Sequence, residues 1–192
     1  MNLDDLLAKR IRSLRKRRGH ALEKLAELSG VSRSMISLIE RAETSATAAV
    51  LNKLADALGV SLASLFSEEA EPAVTPLARF EEQHVWQDPA SGYLRRQLSP
   101  PGYGSPLELA EVIFLAGQTV TFDNAMRSIV THQQIWMLAG EMEITVEGQS
   151  WHLLPGDCLA MTLGQQIVFH NPTSSSARYL IALTAQPPST GR

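Results

Sequence analysis

The sequence predicts a multidomain chain of α and β parts: an N-terminal bundle of five short helices, then an antiparallel β-barrel of the jelly-roll type. Three observations predict it. Apolar residues recur at helical spacing through about residue 66. Strand-length apolar segments separated by turn residues follow from residue 107. Charge, proline and aromatic content all change near residue 70. Residues 1–67 carry 11 Lys/Arg against 7 Asp/Glu, whereas the remainder carries 6 Arg, 13 Asp/Glu and no lysine. All ten prolines lie at or beyond Pro72, and every Trp and Tyr lies in the second part. The expected division is therefore 1–67 helical, 68–78 a polar, Pro-punctuated linker, 79–186 the barrel with an upstream strand segment, and 187–192 a flexible tail.

Each helix has its own signals. Leu3, Leu7, Ile11 and Leu14 form one stripe, and Gly19 stops it. A second helix fits Ala21–Ser29, with Leu22, Leu25 and Ala26 apolar and Gly30 as its end. Ser32 is placed to N-cap a third, whose buried stripe holds Ile36 and Ile39. A fourth runs from about Ala46 to Leu58 with Leu51, Leu54, Ala55 and Leu58 inward, and Leu62, Leu65 and Phe66 belong to a short fifth. Two helices joined by the turn Ser29-Gly30-Val31, over about residues 22–41, form a helix-turn-helix, whose second helix can enter a DNA major groove.

Side-chain chemistry agrees with a nucleic-acid partner. Ser32, Arg33, Ser34, Ser37 and Arg41 lie off the apolar stripe and form the free face of the third helix. Arg33 can donate two hydrogen bonds to a guanine edge, and the serines can take bases or phosphates. Helix 1 offers Lys9, Arg10, Arg12, Lys16, Arg17 and Arg18 to phosphates. The overall net charge of −3 conceals this, because it sums a basic part and an acidic one.

These residues carry a resemblance. LAELSGVSRSMISLIER and LADALGVSLASLF make residues 7–66 resemble the phage-repressor-like (XRE) helix-turn-helix family. The resemblance implies a five-helix DNA-binding domain with Arg33–Arg41 as recognition helix and an ion pair between Arg15 and Glu40. It also implies a homodimer on a pseudo-palindromic double-stranded operator. Leu22, Ala42 and Ala46 depart from a frequent Gln, Gly and Pro.

The second part reads as strands at Leu107–Leu115, Thr119–Phe122, Ile135–Leu138, Glu141–Val146, Ser150–Leu154, Cys158–Met161 and Arg178–Leu183. Met142, Ile144 and Val146 share one face, and Glu147-Gly148-Gln149 reads as a hairpin turn. Gly102-Tyr103-Gly104, preceded by two prolines, reads as a turn rather than a phosphate loop. IWMLAGEMEITVEGQ, LLPGDCLAM and His170-Asn171-Pro172 resemble a cupin domain, and WQDPASGYLRRQLSPPG resembles the segment preceding it in XRE–cupin regulators.

Cupin metal ligands implied by the resemblance are missing. The carboxylate position is Gln133, the paired histidines fall on Arg127 and Ile129 or on Met126 and Ser128, and the last histidine falls on Ile167. A transition metal needs several converging N, O or S donors, so no metal or cofactor is expected. His132, His152 and His170 show no metal-binding spacing. Cys158, in an apolar strand, is expected to be a buried, inert thiol rather than a redox sensor. If Gln133 and Ile167 face inward as family ligands do, alternation turns Ile135, Met137 and Phe169 inward as well, with Arg127 near the mouth. That leaves either an apolar pocket for a small-molecule effector or a filled barrel serving dimerisation.

A sequence-specific, one-component transcriptional regulator without enzyme activity is thus expected. The alternatives are a cupin metalloenzyme fused to a DNA-binding domain and an antitoxin-type DNA-binding protein with a protein partner. The acidic start MNLDDLLAKR is unlike a secretory signal, no run of ~18 apolar residues offers a membrane span, and one cysteine suits a reducing cytoplasm.

Overall fold

A computed structural model describes residues 3–66, 75–103, 105–124 and 130–186. Among these residues four α-helices lead: α1 (Leu3–Arg17), α2 (Leu22–Ser29), α3 (Arg33–Glu40) and α4 (Ala48–Ala57). The predicted fifth helix is a single 3₁₀ turn, Ala63–Phe66. Only eight residues separate Gly59 from the acidic run that starts at Glu68, too few for a stable α-helix with its connections, and a short 3₁₀ turn suits a connector of that length. Leu65 and Phe66 are buried there all the same.

Local signals explain the helix ends. Ser32 Oγ accepts the Met35 N–H at 3.3 Å and starts α3. Thr47 Oγ1 accepts the Val50 N–H at 3.4 Å and starts α4. Gly30 closes α2 at φ +66°, the left-handed conformation in which glycine carries no Cβ penalty. At the end of α3 that role falls to Ala42, at φ +55°.

Among the described residues ten strands follow: β1 (Val85–Gln87), β2 (Leu94–Gln97), β3 (Leu107–Phe114), β4 (Thr119–Phe122), β5 (Val130–Ala139), β6 (Met142–Val146), β7 (Gln149–Leu153), β8 (Cys158–Leu163), β9 (Ile167–His170) and β10 (Ala177–Gln186). They form a six-stranded sheet, β1-β2-β3-β10-β5-β8, and a four-stranded sheet, β4-β9-β6-β7. Every pairing is antiparallel. The expected antiparallel β-barrel of the jelly-roll type is found as two antiparallel sheets and not as a closed barrel, the double-sheet form that jelly rolls take. The chain changes sheet at tight corners. Between β5 and β6 the corner is Gly140, at φ +72°, where an added Cβ would lie 2.7 Å from Ala177 Cα. Between β6 and β7 the sheet continues through the expected hairpin, with Glu147 and Gly148 both at positive φ, as a two-residue turn requires.

Helical and sheet parts share one apolar core. Phe66 meets Trp86 at 5.8 Å between ring centroids, Trp86 meets Tyr93 edge-on at 5.7 Å, and Tyr93 stacks on Phe114 at 5.7 Å. This row of rings runs from the helices into the sheet interior. Across the two sheets, Phe169 of β9 stacks on Tyr179 of β10 at 6.4 Å.

Candidate nucleic-acid interface and interdomain cavity

α3 stands at the surface on a buried stripe of Ile36 and Ile39. Arg15 of α1 holds its far end: Nε and Nη2 donate to the two Glu40 oxygens at 2.6 and 2.7 Å, and Nη1 donates to the His20 carbonyl at 2.8 Å. That bidentate bond, in a setting where both side chains are largely buried, raises the Arg15 pKa further.

On the free face, Ser32, Arg33, Ser34 and Arg41 are exposed and Ser37 is half-buried. The two arginines are not idle. Arg33 pairs with Glu23 of α2, and Arg41 donates to both Glu43 oxygens at 2.7 Å and to Ser37 Oγ at 2.6 Å. The Arg41 hydrogen bonds hold the Glu43 carboxyl below its usual range. Phosphate or a base edge must therefore displace a carboxylate to engage either guanidinium. Ser32 Oγ is committed to the helix cap and lies 3.2 Å from Ser34 Oγ.

Arg12, Lys16 and Arg17 are exposed on α1, which packs on α3, and Arg18 is exposed just past its end. Arg10 instead turns toward the 3₁₀ turn, where Nε donates to the Ser64 carbonyl at 3.0 Å. Met35, 38% exposed beside Arg33 and Ser34, went unnoticed in the sequence. As an apolar side chain on a reading face it can meet a thymine methyl. Its signal was its place off the Ile36/Ile39 stripe.

A second feature lies where the helices meet the sheets. A cavity of about 60 Å³ is roofed by Asn52, Ser61 and Leu62 from the helical side. Gln133, Ile167 and Phe169 line its sheet side, all three buried. Ile135 and Met137 are also buried but lie in the filled interior, off the cavity wall. Arg127 lies outside the described residues. Among the lining residues that escaped the sequence reading are Tyr93, Arg95 and Tyr179, each at most 5% exposed. Burial pushes both phenols upward in pKa and the Arg95 guanidinium downward.

The histidines have separate partners. His132 Nδ1 lies 3.3 Å from Thr162 Oγ1, His152 Nε2 lies 3.1 Å from Glu141 Oε2, and His170 Nδ1 lies 2.9 Å from Thr119 Oγ1. Cys158 is exposed, which corrects the expected buried thiol. Met161 and Leu163 face inward, so the two-residue period turns Cys158, Ala160 and Thr162 outward.

Comparison with known proteins decides the identity of the fold. A helix-turn-helix family model, HTH_3, matches residues 11–65. The HTH-type transcriptional regulator SinR of Bacillus licheniformis is 33% identical over 94 residues, which span 48% of this chain and 85% of that protein. The chain belongs to the XRE-type helix-turn-helix family of transcriptional regulators. Another relative, the HTH-type transcriptional regulator PuuR of Escherichia coli K12, is 28% identical over 92% of this chain and 93% of its own. The crystal structure of an HTH_3 family transcriptional regulator from Vibrio cholerae superposes with a TM-score of 0.77 at 24% identity, covering 95% of this chain and 96% of that one. The two-part fold is thus shared along nearly the whole length. As an XRE-type helix-turn-helix protein, this chain is a DNA-binding transcriptional regulator.

Proposed function

We propose that the protein is a sequence-specific, one-component regulator without enzyme activity. Residues 1–67 read DNA, residues 68–78 link, and residues 79–186 form an effector-binding and dimerising domain. Two copies present two α3 helices about one turn of DNA apart, ~34–36 Å, to a pseudo-palindromic operator. Arg33, Ser34, Ser37 and Arg41 contact base edges, Ser32 presents the N-terminus of α3, and Arg12 and Lys16 hold phosphates.

The observation that carries this reading is the exposed Arg/Ser face of α3, fixed by the Arg15–Glu40 clamp beside the basic side of α1. The cytoplasm, where the chromosome lies, is the setting this function needs. Among the described residues no helix is long and apolar enough to cross a membrane.

A genome-wide footprint at controlled salt tests the proposal. Discrete protected sites with two-fold symmetry support it, and uniform low-level protection contradicts it. Elemental analysis of the purified protein addresses the metalloenzyme alternative, for which stoichiometric iron, manganese or zinc is the expected sign. Stoichiometric co-purification of a second chain is the sign of an antitoxin.

A further inference from the structure

The cavity under α4 is lined by a buried guanidinium. Arg95, on β2, is 5% exposed, and its Nε is buried with no hydrogen-bond partner among the described residues. A guanidinium stays charged in proteins, and a buried charge is costly unless it is paired. The carboxylate that influences it, Glu108, accepts from Ser61 Oγ at 2.7 Å through Oε1, while its Oε2, also buried, likewise has no hydrogen-bond partner among the described residues. The phenols of Tyr93 and Tyr179 act electrostatically on the same guanidinium and line the same cavity. A planar fork with two hydroxyl donors nearby suits a carboxylate.

The remaining wall is largely apolar, with Phe114, Phe122, Leu163 and Ile167 among its residues. At ~10–15 Å³ per water, about 60 Å³ is room for roughly four to six small groups. A dianion such as phosphate would leave its second charge against that apolar wall.

We infer that the cavity binds a small monocarboxylate with a short apolar body, anchored by Arg95, and that its occupancy is read by the helical part through Asn52 and Ser61. The inference rests on the effector reading above and names its chemistry. Coupling follows from the roof. Asn52 of α4 donates to Asn124 Oδ1 at 3.1 Å, and Ser61, just beyond α4, holds Glu108. Both residues line the cavity, so a guest touches the helical part directly. Whatever factor the guest imposes on DNA affinity, DNA imposes on guest affinity, by linkage.

The test uses the full chain with propionate and butyrate, and with n-alcohols and n-alkylamines of equal length as neutral and cationic controls. Calorimetry is expected to show saturable binding of the carboxylates and none of the controls. Arg95→Met abolishes it, and Arg95→Lys, which keeps the charge but loses the fork, weakens it at least tenfold. Should Arg95→Met not fold, Arg95→Lys and Tyr179→Phe carry the comparison. Saturating butyrate is expected to change affinity for a selected DNA site at least threefold.

No saturable carboxylate binding, equal binding of the controls, or binding unaffected by these variants overturns the site. Binding that leaves DNA affinity unchanged overturns the coupling. Failure of the ligand-free protein to bind any DNA sinks the regulator reading instead, and calorimetry still judges the site independently.

Discussion

Asp88, in the turn between β1 and β2, accepts a hydrogen bond from the backbone N–H of Ala48 at 2.8 Å, so the sheet part caps a helix of the DNA-binding part. The second Asp88 oxygen takes the Ser91 N–H at 2.8 Å and its hydroxyl at 2.6 Å. Asp88 is 2% exposed, yet both oxygens are satisfied. The α4 macrodipole favours a negative charge at that end. Together with Asn52–Asn124 and Ser61–Glu108, this contact makes the orientation of the helices a property of the whole chain.

Asp88→Ala is therefore expected to destabilise the full chain by about 1–2 kcal/mol, the usual cost of a lost helix cap. Urea unfolding followed by circular dichroism measures it. Asp88→Asn keeps an acceptor for Ala48 and is expected to lose less.

Ala42 occupies the left-handed position that ends α3, with its N–H bonded to the Ile39 carbonyl at 3.0 Å and Glu43 N–H to Leu38 at 3.0 Å. An L-residue in that region carries a penalty of about 1–2 kcal/mol that glycine avoids, partly offset by glycine's greater freedom when unfolded. Ala42→Gly is expected to stabilise the protein by roughly 0.5–1 kcal/mol. A raised thermal midpoint with unchanged DNA affinity is the expected outcome.

The Arg15–Glu40 pair is a clamp between α1 and α3, with side chains 12% and 6% exposed. Removing one member strands the other in a mostly buried setting. Arg15→Ala is expected to cost about 3 kcal/mol, the lower end for a broken buried pair because one edge stays open to water. A double-mutant cycle with Glu40→Gln isolates the pairwise share.

Much of this was legible in the sequence. The 3.6-residue stripe is a local pattern, so Leu7, Ile11, Leu14, Ile36 and Ile39 identified their buried faces directly. Gly30 and Ser32 marked their helix ends for equally local reasons. Arg95 was hidden because the doublet Arg95-Arg96 gives no phase, and an arginine in a strand is ordinarily assigned to water. Tyr93 and Arg95 in fact share the inward face. Cys158 was hidden by the opposite effect: in Cys158-Leu-Ala-Met161 every letter is apolar, so the alternation could not be read. Asp88 could not be recognised as a cap, because its helix lies 40 residues away.

Glu108 supplies a pH signature. Burial raises its pKa above the ordinary 4.5, against the lowering effects of Ser61 and Arg95. Between the ordinary value and the raised native one, the folded chain holds a proton that the unfolded chain has released. Stability is therefore greatest with Glu108 protonated, and it falls as pH rises through that window. Glu108→Gln is expected to flatten this fall and leave the variant relatively more stable at neutral pH, as read from denaturant midpoints at several pH values.

Sequence reading by α3 is tested most directly by selecting binding sites from a random DNA pool at fixed salt, with the wild-type chain and Arg33→Ala in parallel. The wild type is expected to enrich a two-fold-related sequence with half-sites about 10–10.5 base pairs apart, or a multiple of that. Arg33→Ala is expected to lose preference at one position in each half-site and ~1–3 kcal/mol of specific affinity. Enrichment of the same sequence with the same preference by both proteins would contradict the assignment of α3 as the reading helix.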